Sequence, residues 1–503
     1  MGYDVVIVGG GLGGLTAGAK LAKEGKKVFL IEQHNKPGGY ATTFKRNGYT
    51  VEAGLHEMDG LDEDDIKPKI FKDLKVFDNV EFIRVPEFYR FVNERVDIVV
   101  PDNAEKAIAT FIKKFPEDEQ GIRKFFKVIV DLRREIWKLP REKWKVFLAL
   151  PIFPLVFRNL VSYRNETVGK FLDSIVKSDD LKLVLIGNLG YYHNDPYTMS
   201  MLYYAAGQGS YYSGGGWYIK GGSQKLSDYL SRVITDNGGE VILNHLATKI
   251  LTENNRAIGV EYTKKVPENS EGLKVFARNI IANAAIPNVA NHLLSPKASR
   301  RLRSQIENWE IACSILTVYL GFKKPVKELG NKHYSTFAFH PSVQKQSDIL
   351  KNSKADFRTR PFCFVDYSQI DSGLAPEGKS LSVIATYDYI SDWENLSQQE
   401  YRAKKEEVAQ IFIARLDDLI PGIKKEVEYY EVSTSKTMRR YTLNPEGTAY
   451  GYAEIPRQAG MRRIRQKSPI KNLHFASAWT FLGGGFTGVI ASGYFCAEDI
   501  LRE

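Results

Sequence analysis

The sequence predicts an α/β protein in which a discontinuous Rossmann-like nucleotide-binding domain is interrupted by an inserted α+β domain. Three observations predict it. A glycine-rich turn joins a strand to a helix at the start of the chain, strand and glycine-loop pieces return in the middle and at the end, and two long aromatic-rich stretches separate them. The 503 residues, 43% of them hydrophobic, are enough for at least two cores. The nucleotide domain is expected to take residues 1–60, 211–292 and 436–503, and the inserted domain 61–210 and 293–435.

The elements follow in order. Tyr3 to Val8 is a β-branched run, Leu12 to Glu24 has a helical pattern, and Lys27 to Ile31 is a second apolar run ending at Glu32, which together make a βαβ unit. Gly9, Gly11 and Gly14 spell GxGxxG between the first strand and the helix. A tight turn, close backbone approach to a pyrophosphate and helix-to-strand packing each exclude a Cβ there. Glu32, 18 residues after Gly14, can accept hydrogen bonds from ribose hydroxyls. Strand, glycines, helix, second strand and acid in this order point to a dinucleotide site. Gly38 and Gly39 come next, then a β turn around Asn47 and Gly48.

Residues 241–265 read as a hairpin about Asn254 and Asn255, and 277–289 as a strand leading into a loop and helix. The tail has a strand (LHFAS), a glycine loop and a closing helix. A second GxGxxG falls at Gly483, Gly485 and Gly488 with only fifteen residues after it, too few for another βαβ crossover. A helix amino terminus there, with free N–H groups, suits an anionic flavin ring or the pyrophosphate. A glycine-rich turn before a packed helix would read the same way.

Composition removes several classes. Cys313, Cys363 and Cys496 are far apart with no CxxC pair, so no disulfide framework is expected and a reducing, cytoplasmic setting is the default. The eight histidines form no HExxH or carboxylate cluster, and no metal is expected. The formal charge of +10 concentrates between Gly121 and Arg164, where eleven basic residues face three acids. In that segment Ile122, Phe125, Phe126, Ile129, Leu132 and Ile136 recur at helical steps, and Val146 to Phe157 is uncharged and apolar apart from Pro151 and Pro154. The stretch is too short to span a bilayer but suited to dip into an anionic membrane surface, so a peripheral position is expected. An amphipathic helix on the core followed by a buried loop has the same pattern. No RNP, zinc-finger or helix-turn-helix motif accompanies the charge, which argues against nucleic acid. The start, MGYDVVIVGGG, lacks a basic region before its apolar run, and no cleaved signal peptide is expected.

The stretches VVIVGGGLGGLTAGAKLAKEGKKVFLIEQHNKPGGYATTF, GYTVEAGLHEMDG, GGGWYIKGGSQKLSDYL, IIANAAIPNV, KTMRRYTLNPEGTAYGY and NLHFASAWTFLGGGFTGVIASGYFCAEDIL resemble the flavoprotein superfamily of phytoene desaturases, carotenoid isomerases and retinol saturases, within the amine-oxidase-like fold. The resemblance implies FAD as cofactor. By it, Gly9, Gly11, Leu12, Gly13, Gly14, Glu32 and Gln33 belong to the site of the ADP half, and Gly38 and Gly39, followed by Tyr40 and Ala41, approach the pyrophosphate. Gly54 and Leu55 join the set, and Gly484, Gly485, Thr487, Gly488 and Val489 contact the pyrophosphate and flavin ring.

The implied function is FAD-dependent oxidoreduction at carbon–carbon double bonds of a long apolar polyene, isoprenoid or lipid such as a carotenoid or retinoid: desaturation, saturation or cis–trans isomerisation. A flavin amine oxidase, or a non-catalytic flavin- or lipid-binding protein, is the alternative. His56, in the stretch that such proteins place near the flavin, is the candidate catalytic residue, as a proton donor to carbon or to orient substrate. Tyr211, Tyr212, Tyr218, Tyr441 and Tyr450 flank the glycine motifs as candidate tunnel residues, with packing as the plainer role.

Overall fold

The computed structural model describes residues 2–140, 151, 153–265 and 272–503. At its start, β1 (Tyr3–Val8), α1 (Leu12–Lys23) and β2 (Val28–Ile31) form the expected βαβ unit, with β1 and β2 parallel. Val5 and Ile7 point to one face and pack with Leu15 and Leu21, while Val6 and Val8 join the cluster of Ile250, Val260 and Ile280 on the other. A parallel strand covered on both faces must be apolar at every position, which is why YDVVIV does not alternate.

Around this pair grows a seven-stranded sheet. Its parallel part runs Glu240–Ile242, β2, β1, Leu273–Ala282, Leu473–Phe475. The outer half of Leu273–Ala282 turns away to pair with Arg256–Lys264, which forms an antiparallel hairpin with His245–Glu253. The hairpin turns at Asn254 and Asn255, both at positive φ (46° and 59°), the conformation that a two-residue turn between twisted strands requires. The closing helix Gly485–Leu501 crosses α1 so tightly that a Cβ on Gly493 would lie 2.1 Å from the Gly13 carbonyl oxygen, and one on Gly13 2.2 Å from that of Ala476. Chain start and chain end thus close one core.

A second seven-stranded sheet runs Val427–Ser433, Ser314–Phe322, Ser380–Asp388, Phe362–Asp366, Ser335–Ala338, Tyr89–Val92, Asp97–Val100. One face packs on the helix Gln398–Leu419 through Leu316, Val318, Ile384, Phe412 and Leu416. The period of two sends Ile315, Thr317, Phe337, Cys363 and Ala385 to the opposite side, where they line a cavity. The helix Glu119–Lys138 buries Ile122, Phe125, Phe126, Ile129 and Leu132 as its periodicity predicts, and Arg123, Lys127 and Arg134 are exposed. Arg133, one of the eleven basic residues of this segment, is buried against Asp62 and Asp65. Of the apolar stretch expected to meet a membrane, Val146–Leu150 and Ile152 lie outside the described residues. No described helix is long and apolar enough to cross a membrane.

Candidate functional site

A cavity of about 1050 Å³ begins at the carboxyl ends of β1 and β2 and continues to the inner face of the second sheet. Ligands of open α/β sheets sit outside the carboxyl ends of the strands. Glu32, which follows β2, is buried. Its Oε2 accepts from the Gly10 N–H at 2.6 Å and its Oε1 from that of His34 at 2.7 Å. Burial pushes the Glu32 carboxyl up, and these N–H groups work against that shift. The two bonds take two of about four lone-pair positions, which leaves acceptors for hydroxyls of a ligand.

The glycine turn is braced from the next loop, where the Gly38 N–H donates to the Gly10 carbonyl at 2.7 Å. Gly39 faces Gly11 with only the Gly11 Cα within 4 Å of where its Cβ would stand, at 3.4 Å. At the cavity's other glycine loop, Gly485 has φ +77° and no atom within 4 Å of the place of a Cβ. Bare backbone on both sides of an open space is a cradle that side chains would fill.

Gly9, Gly11, Leu12, Gly13, Glu32, Gln33, Gly38, Gly39, Tyr40, Ala41, Gly54, Leu55, Gly484, Gly485, Thr487, Gly488 and Val489 all line this cavity, as does His56. Gly14 stands behind the wall, where a Cβ would lie 2.3 Å from the Gly9 carbonyl oxygen, so its part is to close the turn. Of the five tyrosines, Tyr211, Tyr441 and Tyr450 line the cavity. Tyr212 and Tyr218 are buried in the core, the packing role.

The loop carrying His56 is held from both sides. Buried Glu52 accepts from the N–H groups of Gly54 (3.2 Å) and Leu55 (3.1 Å) and from the Ser223 N–H and hydroxyl, both at 2.7 Å. The hydroxyls of Tyr319, Tyr367 and Tyr334 donate to the carbonyls of Ala53, Leu55 and His56. The His56 ring lies 5.7 Å from that of Tyr191, and burial pushes it down to about 4. A neutral imidazole at pH 7 is a weak proton donor to carbon, so of the two roles expected for His56 its surroundings favour orienting a polar group.

Sequence reasoning passed over Asn283, whose Nδ2 donates to the Gly9 carbonyl at 3.1 Å, and over Thr248, Trp479 and Leu482, which also line the cavity. Asn283 follows the parallel strand Leu273–Ala282 at its carboxyl end. The strand-end rule applied to that strand finds it.

Fold and site define a nucleotide-cofactor oxidoreductase, and the chain belongs to the flavin-containing amine oxidoreductase family, which it matches over residues 12–501. The cofactor is FAD. Among relatives, a chloroplastic prolycopene isomerase from Daucus carota is 26% identical, covering 100% of this chain and 80% of that protein. An all-trans-retinol 13,14-reductase from Danio rerio is 27% identical, covering 99% and 86%. In fold, the chain is similar to an oxidoreductase from Methanosarcina mazei (TM-score 0.64, 17% identity, 99% of this chain and 100% of that one). It is similar also to putrescine oxidase bound to putrescine (TM-score 0.64, 16% identity, 100% of both chains).

Proposed function

We propose that the protein acts on carbon–carbon double bonds of a long apolar polyene, isoprenoid or lipid, of the carotenoid or retinoid kind, drawn from an anionic membrane surface. The observation that carries this reading is the cavity's lining beyond the glycine loops, where Leu160, Val161, Leu202, Phe337 and Phe339 give an apolar chamber. Its relatives named for prolycopene and retinol support the same class. Glu32, Glu57 and Asp59 are the carboxyls among the described lining residues. Glu32 lies at the nucleotide end, burial pushes Glu57 well up, and Asp59 is engaged by Lys67 and Thr487. The apolar chamber and the relatives named for polyenes set the amine-oxidase alternative behind the polyene.

In this reading Gly9, Gly11 to Gly13, Glu32 and Gln33 hold the ADP half of FAD, Gly38 to Ala41 flank the pyrophosphate, and Gly54, Leu55 and Gly484 to Val489 face the ring. Bound FAD supplies the acceptor and donor of hydride. The chain's own residues hold the polyene in a dry chamber, and the neutral His56 imidazole donates a hydrogen bond to a polar terminus. Anaerobic incubation of photoreduced and of oxidised holoprotein with a panel of polyenes tests this. One polyene should return with two hydrogens more, two fewer, or the same mass and a changed absorption spectrum. Unchanged polyenes, together with reduction of the flavin by an amine, would turn the assignment to amine oxidation.

One part of the cavity's lining supports the membrane source. Arg164 and Arg462 belong to it with Met461, and Arg158 stands close by in sequence. Leu155 is 81% exposed, Val156 53% and Met461 57%. Headgroup attraction is worth about 1 kcal/mol per basic residue near the surface. The holoprotein should bind anionic vesicles at low salt and neutral ones weakly. Above physiological salt, where the Debye length falls below about 8 Å, an apolar remainder should persist. Leu155→Ser with Met461→Ser should remove that remainder and leave FAD bound, since both side chains already stand in solvent. Wild type that floats free of anionic vesicles at low salt would dismiss the membrane source.

A further inference from the structure

A buried ionic chain runs from the helix Glu119–Lys138 to the second glycine loop. Lys67, in the first turn of the helix Ile66–Asp73, has no exposed surface. Its Nζ donates to Asp65 Oδ1 at 2.9 Å and to Thr487 Oγ1 at 2.8 Å, and lies 3.4 Å from Asp59 Oδ2. The Thr487 hydroxyl donates in turn to Asp59 Oδ1. Asp65 Oδ2 accepts from Ser210 Oγ at 2.9 Å and is 3.4 Å from Arg133 Nη2, which also pairs with Asp62 at 2.6 Å.

Stability does not account for such an arrangement, because removing ammonium and carboxylate groups from water costs at least what their pairing returns. Location offers a reason. Thr487 lies in the first turn of the closing helix Gly485–Leu501, and both it and Asp59 line the cavity. The local carboxylates Asp59, Asp62 and Asp65 outnumber the cations Lys67 and Arg133, so without Lys67 this end of the cavity would turn strongly negative. A flavin ring gains negative charge on reduction, and protein charge near it tunes its readiness to accept electrons.

We propose that Lys67 is a positioning residue which, through Thr487 and against Asp59, offsets the carboxylates at the flavin end of the cavity enough to favour the reduced cofactor. The inference rests on the reading that Gly484–Val489 faces the flavin ring. The helix amino terminus supplies partial positive charge of its own, and Lys67 sets whether the neighbouring carboxylates cancel it.

The test is the equilibrium between the bound flavin of the holoprotein and a reference dye, with electrons passing from reduced dye to flavin. Lys67→Met should lower the ratio of reduced to oxidised flavin at least tenfold, about 30 mV for a two-electron couple. Lys67→Arg should restore most of it, and Asp59→Asn should move the ratio the opposite way, at least threefold up. Loosened packing alone would move all three variants in one direction. An unchanged ratio in Lys67→Met, or a fall in Asp59→Asn, overturns the proposal. If Lys67→Met cannot retain FAD, the direction of the Asp59→Asn shift decides alone. Wild type that binds FAD but shows no effect of Thr487→Val on the flavin spectrum would instead remove the reading of the glycine loop.

Discussion

Gly11→Val is expected to leave the purified protein colourless, with less than a tenth of the wild-type flavin content. Gly11 is the residue before α1, on the cavity wall, and pairs through a single bridge with Gly38. A Cβ here would stand 2.8 Å from Asn283 Nδ2, the group that holds the Gly9 carbonyl. A valine therefore strikes twice. It pushes Asn283 off the turn and adds two methyl groups at the cavity wall. The backbone itself is at ease, since φ of −71° suits any residue, so the chain should fold and the loss should fall on the cofactor. Absorbance near the flavin bands after gel filtration, set beside a circular dichroism melt, measures both. A yellow Gly11→Val protein with wild-type stoichiometry would move the pyrophosphate away from this turn.

The βαβ unit and the Asn254–Asn255 hairpin were legible because each depends on neighbours in sequence: a period, a turn residue, an acid at the end of the next strand. The same holds for the glycines, whose spacing reports backbone that must come close to something. What stayed hidden is long-range. Nothing near Glu52 in sequence says that its carboxylate will also collect the N–H and hydroxyl of Ser223, or that Tyr319, Tyr334 and Tyr367 will take the carbonyls of the same loop. Lys67 and Thr487 are 420 positions apart.

Charge counting could not show that Arg133 is buried, for a related reason. Periodicity marks which helix face is apolar, but not that a neighbouring helix is close enough to bury a further residue beside Leu132. Tyr211 and Tyr212 make the same point. One lines the cavity and its successor fills the core, because consecutive helical residues point about 100° apart.

Arg463→Met should destabilise the holoprotein by about 3–5 kcal/mol at pH 8, the usual cost of leaving one partner of a buried pair without the other. Arg463 Nη1 lies 2.8 Å from Glu454 Oε1 with both side chains essentially without exposed surface, in a close ionic contact made off the hydrogen-bond line. Its Nη2 donates to the carbonyls of Tyr452 (3.1 Å) and Ala478 (3.0 Å). The pair supports the second glycine loop, since a Cβ on Gly483 would stand 2.5 Å from Glu454 Oε1. Burial pushes Glu454 up from 4.5 to about 7, with Arg463 opposing, so the methionine variant releases it to rise further.

The direction of the pH dependence follows from that shift. A carboxyl whose folded pKa lies above its unfolded value contributes stability that is present below the unfolded value and lost as pH rises through the folded one. The defect of Arg463→Met should therefore be level below about pH 7, where Glu454 keeps its proton in the folded state of both proteins, and grow above it by at most about 1.4 kcal/mol per pH unit. Other buried groups titrate alike in variant and wild type and cancel in the difference. Adding Glu454→Gln to Arg463→Met removes the stranded charge and should recover the part of the loss that grows above pH 7, flattening its pH dependence. Urea midpoints for the three proteins at pH 5.5 and 8 supply the comparison. A defect that is equal at the two values and untouched by Glu454→Gln would assign the effect to the lost carbonyl bonds of Arg463 instead of to the buried charge.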